Sequence, residues 1–253
     1  MNDPGNVGIG FPVEFDTLSR IERKRMNIVA IDFETANGSS KLSACEIGYS
    51  VFKETGEKIL TRSHYLVPPN EASEFTAMTI AIHGIKQIKT INAPTFKTVF
   101  EKTLCNLMDG SIVLAHNADF DGKVLSELCK HYGIKLPENI VFACTMRMSK
   151  KLIESTAYSL DIISKRYGLT LDHHRAGSDS EVCGQVFFKM LEEYGSGMSP
   201  LEFIEHLEMK YASAEFFDKS REAGIKKVKE EVKKERKTRK KSGPTEEEQP
   251  RLF

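Results

Sequence analysis

Asn27-Ile28-Val29-Ala30-Ile31-Asp32-Phe33-Glu34-Thr35 is a short apolar, β-branched run that closes on two acids. A run of this length and composition reads as a buried strand. Alternation along a strand points Asp32 and Glu34 to the same face. Two carboxylates on one face repel each other unless a cation lies between them. Taken alone, the pair fits equally well a capping acid beside a surface acid, so the rest of the chain has to decide.

Residues 44–52 and 58–67 are two more strand candidates, separated by a turn at Glu54-Thr55-Gly56-Glu57 and therefore antiparallel neighbours. Beyond them helices alternate with short strands. Pro94 precedes a helical stripe over 95–108 that carries Phe96, Val99, Phe100, Leu104, Leu107 and Met108. Residues 111–115 form a buried strand, 120–132 a helix stopped by Gly133, and 139–144 a further short strand. Helices over 145–152, from Ser159 to a stop at Gly168, and over 178–194 follow. The order βββ-α-β-α-β-α-α predicts an α/β fold: a mixed five-stranded sheet flanked by helices.

This body spans residues 27–194. Residues 1–26 are an extension without a sustained period. Residues 195–241 form a helical, basic C-terminal region, opened by Ser199 as N-cap with Pro200 at the first helical position. Residues 242–253 form a polar tail with the composition of a disordered segment. The 253 residues carry no formal net charge, yet the stretch from Lys219 to Lys241 holds 12 Lys and Arg against 4 Glu. A basic appendage on an acidic body suggests an anion-binding arm and a core whose acids are gathered for cations.

Composition excludes several classes. No apolar run approaches the roughly 20 residues needed to span a bilayer. The first residues lack the pattern of a secretory signal, so a cytoplasmic location is expected. The five cysteines are odd in number and contain no C-x-x-C pair, which argues against a disulfide framework or a structural zinc site.

Two further acids bear on the Asp32–Glu34 pair. His116-Asn117-Ala118-Asp119-Phe120-Asp121 follows one short strand and opens a helix, and strand exits are where open α/β sheets bind ligands. His174-Arg175-Ala176-Gly177-Ser178-Asp179 places Asp179 in the first turn of the last body helix, with His174 on the loop before it. Each acid alone also reads as a first-turn acid favoured by the helix dipole.

Together these strings resemble the histidine branch of the DEDD superfamily of 3′–5′ exonucleases, over about residues 27–190. Ile82-His83-Gly84-Ile85 and Ala93-Pro94-Thr95-Phe96 also look like the proofreading epsilon subunits of bacterial DNA polymerase III and their relatives. The resemblance implies a ribonuclease-H-like fold in which Asp32, Glu34, Asp121 and Asp179 organise two divalent cations, Mg²⁺ or Mn²⁺. It selects Asp121 over Asp119, and His174 over His173 as the general base. Thr35, His83 and Phe120 become candidates for holding the 3′-terminal nucleotide, with core packing the alternative for Phe120. Ser180 stands where relatives often carry Ala.

The chemistry suits these residue types. Phosphodiester hydrolysis needs an activated water and charge neutralisation at the leaving oxygen, and paired divalent ions supply both. Hard ions take oxygen ligands, hence carboxylates. Imidazole titrates near working pH. The final Gln249-Pro250-Arg251-Leu252-Phe253 resembles the bacterial sliding-clamp-binding peptide, with Gln249, Leu252 and Phe253 as anchors.

The function implied is a metal-dependent 3′–5′ exodeoxyribonuclease in proofreading or repair. It would release nucleoside monophosphates from single-stranded DNA 3′ ends. Its expected partners are a sliding clamp and the DNA polymerase III catalytic subunit, in a nucleoid-associated setting. The alternatives are an exoribonuclease of the same fold and a non-catalytic clamp-binding adaptor.

Overall fold

β1 (Ile28–Thr35) runs through the centre of a five-stranded sheet in the computed structural model, which describes residues 27–208 other than 138. On one side lie β2 (Ala44–Phe52) and then β3 (Lys58–Tyr65), both pairs antiparallel. On the other side β4 (Ile112–Ala115) and β5 (Val141–Cys144) continue the sheet in parallel. A central strand covered on both faces has no side turned to water, which accounts for the unbroken apolar run of Ile28–Ile31. The sheet order is β3-β2-β1-β4-β5, as five strands read from the sequence allow.

Nine α-helical segments accompany the sheet among the described residues: α1 (Ala77–His83), α2 (Gln87–Thr90), α3 (Phe96–Val99), α4 (Cys105–Met108), α5 (Ala118–Tyr132), α6 (Thr145–Leu152), α7 (Leu160–Arg166), α8 (Ala176–Tyr194) and α9 (Pro200–His206). The predicted helix over 95–108 is present, but a wide π turn, Phe100–Leu104, interrupts it between α3 and α4. That extra residue per turn keeps Phe96, Val99, Phe100, Leu104, Leu107 and Met108 all buried. Helix α1 was not anticipated. Its punctuation is nevertheless local: the Thr76 hydroxyl accepts the Thr79 amide, and Gly84 ends the helix at φ 70°.

α8 lies against β1 and β2 and decides where the site forms. At Gly48 of β2 a Cβ would collide with the backbone carbonyl of Ala176, so the helix start rests directly on the strand backbone. α8 begins at Ala176, two residues before the predicted start at Ser178. The Ala176 amide points to the Glu46 carboxylate, Oε2 at 3.5 Å, a cap supplied by another strand and invisible to local reading. Ser180 bridges Ser50 across the same interface, Oγ to Oγ 3.0 Å, and Ser50 continues to Thr61 at 2.9 Å. This polar ladder gives the serine a partner where Ala would have none.

The Ser199–Pro200 helix, placed in a region separate from the body, packs into the main core: Leu201, Phe203, Ile204 and Leu207 are buried there, and the Phe203 ring meets Phe187 at 6.1 Å. The apolar face of α9 has its partner on α8. The extension 1–26, most of the basic region and the tail with Gln249, Leu252 and Phe253 lie outside the described residues. All five cysteines are free thiols, four of them buried, as their spacing implies.

Candidate active site

The end of β1 carries Asp32 and Glu34 to one face, and the start of α8 brings Asp179 to the same place. Carboxylate oxygens of these three residues lie within 4.8 Å of one another. Asp121 comes from the first turn of α5, directly after β4. It is 3% exposed, and its Oδ1 accepts the Phe33 amide at 3.1 Å. Phe33 thus has two tasks, its ring in the core and its N–H fixing an acid from the neighbouring element. Asp119, the near miss in the same string, instead pairs with Arg147 at 2.6 Å. His116 ties the ends of β4 and β5 together, Nδ1 to Thr145 Oγ1 at 2.9 Å, and its Nε2 lies 2.8 Å from the Tyr158 carbonyl.

Burial and mutual repulsion act in one direction on these acids. Asp32 is held well above the carboxylate range by desolvation and then by Asp121, Asp179 and Glu34. Glu34 is pushed up to about 8 by burial, then by Asp179 and Glu46, with Arg175 opposing. Burial raises Asp179 to about 6 and also raises Asp121, against the bond from Phe33. A cluster in which each acid resists ionisation is completed either by protons or by cations. Asp179 Oδ1 is buried with no hydrogen-bond partner among the described residues. An orphaned carboxylate oxygen in an all-oxygen donor set fits a hard divalent cation.

His174 stands on the loop before α8 with φ 62°, a left-handed conformation uncommon outside glycine. That turn sets its Nδ1 3.9 Å from Glu34 Oε1. The His173 ring stacks on it, centroids 3.9 Å apart and planes 13° from parallel. Burial, and then the neighbouring His173 and His83, lower the His174 pKa, which favours a neutral imidazole able to take a proton.

The three nucleotide-holding candidates are placed differently from one another. His83 is buried. Its Nδ1 accepts the Ile85 amide at 3.0 Å, which leaves Nε2 as the donor to the Thr35 carbonyl at 3.1 Å. With both ring nitrogens engaged, His83 braces the end of β1 and offers a substrate no ring nitrogen. Thr35 is buried beside it. Phe120 is partly buried against the core, and the Lys41 ammonium lies 4.1 Å over its ring.

Two residues at the site escaped sequence reading. Glu46 stands opposite Glu34 in the β1–β2 register, is 6% exposed and caps α8. An acid inside the otherwise apolar run 44–52 was the available signal. Arg175 donates from Nη1 to the His83 carbonyl at 3.0 Å and so ties the His174 loop to the end of α1. No local pattern marks it.

Acids carried on the end of a central strand and on the starts of two helices, over a mixed sheet of this order, define the class of ribonuclease-H-like nucleases. The family model described as Exonuclease (RNase_T) matches residues 29–187. The chain is 31% identical over 182 residues to the PolC-type DNA polymerase III of Thermotoga petrophila, covering 71% of this chain and 13% of that protein. It is 31% identical over 172 residues to the 3′-5′ exonuclease DinG of Bacillus subtilis, covering 67% of this chain and 18% of that protein. Less than a fifth of either relative's length is therefore represented. Among solved structures the fold is similar to Exonuclease X in complex with 5′ overhanging duplex DNA, at a TM-score of 0.55 and 21% identity, over 71% of this chain and 99% of that one. It is also similar to the nuclease domain of 3′hExo, a DEDDh family member, bound to rAMP, at a TM-score of 0.56 and 19% identity, over 67% and 94%. The chain belongs to the exonuclease family whose model matches residues 29–187. Asp32, Glu34 and Asp179 form a group that could hold a metal ion. Among the described residues no helix is long and apolar enough to cross a membrane.

Proposed function

We propose that the chain is a 3′–5′ exodeoxyribonuclease that removes nucleoside monophosphates from single-stranded DNA 3′ ends during proofreading or repair. The observation that carries the reading is the convergence of Asp32, Glu34 and Asp179 within 4.8 Å, with His174 Nδ1 3.9 Å from Glu34 at their edge. The choice of DNA rests on the relatives, a PolC-type DNA polymerase III among them.

Asp32, Glu34 and Asp179 would hold two divalent ions, Mg²⁺ or Mn²⁺, with Asp121 supporting them from α5. Bound there, such ions supply a more acidic water and neutralise charge at the leaving oxygen. The chain's own residues do the rest. His174, neutral near pH 7, takes the proton from the attacking water on its imidazole. Glu34 and the stacked His173 hold that ring in place. The Phe33 amide and the His83–Thr35 brace keep the acids from turning away.

The tail Gln249–Phe253 is read as an anchor for a bacterial sliding clamp, and a DNA polymerase III catalytic subunit is the other expected partner, in the nucleoid-associated cytoplasm. Side-by-side digestion of matched DNA and RNA oligomers in Mg²⁺, with and without EDTA, tests the function. Preferential release of deoxynucleoside monophosphates from the 3′ end supports it. Preference for RNA would move the chain to the exoribonucleases, and inactivity on both would leave a binding adaptor.

A further inference from the structure

On the Asp121 side of the acidic centre two cations are gathered with no acid assigned to hold them. Lys41 lies on the loop between β1 and β2, and its ammonium sits 4.1 Å above the Phe120 ring, one residue before Asp121. Lys123 stands one turn on from Phe120 on the exposed side of the same helix; the Lys41 pKa is lowered first by burial and then by the Lys123 charge, with Asp121 acting in the opposite direction. Among the described residues neither ammonium forms a close ion pair with a carboxylate. Two like charges drawn together at the rim of an active site repel each other, as the acids inside it do, and an anion placed between them removes the penalty.

The loop that delivers Lys41 is built for position. The Asn37 side chain accepts the Ser40 amide at 2.8 Å and the Ser39 hydroxyl at 3.0 Å. The Ser43 hydroxyl accepts the Asn37 amide at 3.2 Å and donates to the Asn37 carbonyl at 2.9 Å. An aromatic face then fixes the ammonium, since the ring's negative face attracts a cation without neutralising it. At the opposite edge, Arg175 is committed to the His83 carbonyl. Among the described residues, Lys41 and Lys123 stand beside Phe120 and Asp121 without such a commitment.

We infer that Lys41, seated on Phe120, and Lys123 form a phosphate-binding lip that holds the backbone of a single-stranded nucleic acid beside its reacting 3′ end. This rests on the nuclease reading above and adds the residues that seat the strand. A positively charged edge next to an aromatic side chain is the chemistry that tracks single strands. The acids repel the polyanion, and the lip offsets that repulsion at the phosphates next to the one being cleaved.

The test is steady-state hydrolysis of a 3′-labelled single-stranded oligonucleotide by the full chain, at several salt concentrations, for wild type, Lys41→Gln, Lys123→Gln, the double variant and Lys41→Arg. Each lost phosphate contact should reduce the slope of log KM against log salt by about 0.7, and the double variant by about 1.4. Lys41→Gln should raise KM roughly tenfold at low salt, with a far smaller change in kcat, and Lys41→Arg should restore most of the loss. A single-phosphodiester nucleotide ester, which has no neighbouring phosphate, should register the substitutions much less. An unchanged salt slope and KM in the double variant, with wild type active, overturns the lip and leaves the nuclease reading standing. The lip also falls if Lys41→Gln lowers kcat alone or Lys41→Arg fails to rescue. Wild type inactive on every oligonucleotide removes the reading on which it rests.

Discussion

Replacing Glu34 by Gln should stabilise the metal-free protein while destroying its activity. Glu34 is 9% exposed, and its carboxyl is raised from 4.5 to about 8 by burial and by Asp179 and Glu46. At pH 7.5 the unfolded chain carries this group ionised, whereas the folded one holds it largely protonated. That gap of about three pH units corresponds to about 4 kcal/mol against folding. The repulsion is shared with Asp32, Asp121 and Asp179, so a single neutral substitution recovers about half, about 2 kcal/mol. In a domain of this size that is a rise in Tm of roughly 4–8 °C. The sign follows from proton counting: between the unfolded and folded values the native state binds more protons, so stability falls as pH rises through that window. Thermal unfolding in EDTA should therefore show the wild-type Tm rising as pH is lowered from about 8 to about 6, with a shallower slope for Glu34→Gln. Mg²⁺ or Mn²⁺ should raise the Tm of wild type at pH 8 more than that of the variant, because the ions bind the ionised acids of the native state. A metal-free Glu34→Gln protein that melts lower than wild type, with the same pH slope, would refute the argument that this site is strained by its own charges.

The other predictions concern single elements of the site and the tail. His174→Ala should lower kcat by roughly 10²–10⁴-fold and flatten the acid limb of the pH–rate profile, whereas His173→Ala, which removes only the stacked neighbour, should cost far less. Swapped phenotypes in those kinetics would place the general base one residue earlier. Gly48→Ala would drive a methyl group into the Ala176 carbonyl; it should cost about 1–3 kcal/mol in denaturant unfolding and lower activity by displacing His174 and Asp179. Unaltered kinetics in that variant would mean that α8 does not need its seat on β2. Deleting 249–253 should abolish calorimetric binding to a bacterial sliding clamp without altering cleavage of short oligonucleotides, and equal binding by both proteins would end the anchor reading.

The β1 run, with Asp32 and Glu34 at its end, was legible because a central strand must be apolar throughout and alternation is local geometry. The strand order that follows and the acids at the starts of α5 and α8 were legible for a related reason: helix starts, glycine stops and short apolar runs are written in neighbouring residues. Contacts between residues distant in sequence were not. Glu46 capping Ala176, Arg175 bonding the His83 carbonyl and Phe33 donating to Asp121 span 130, 92 and 88 positions. No window of sequence shows them. The same holds for His83, whose two ring nitrogens are taken up only once α1 docks on the end of β1, and for Lys41, which meets Phe120 only after the loop folds over α5. The sequence determined which acids were available and on which elements they stand. Tertiary packing alone decided how close they come and how strongly they repel, because burial and distance set both.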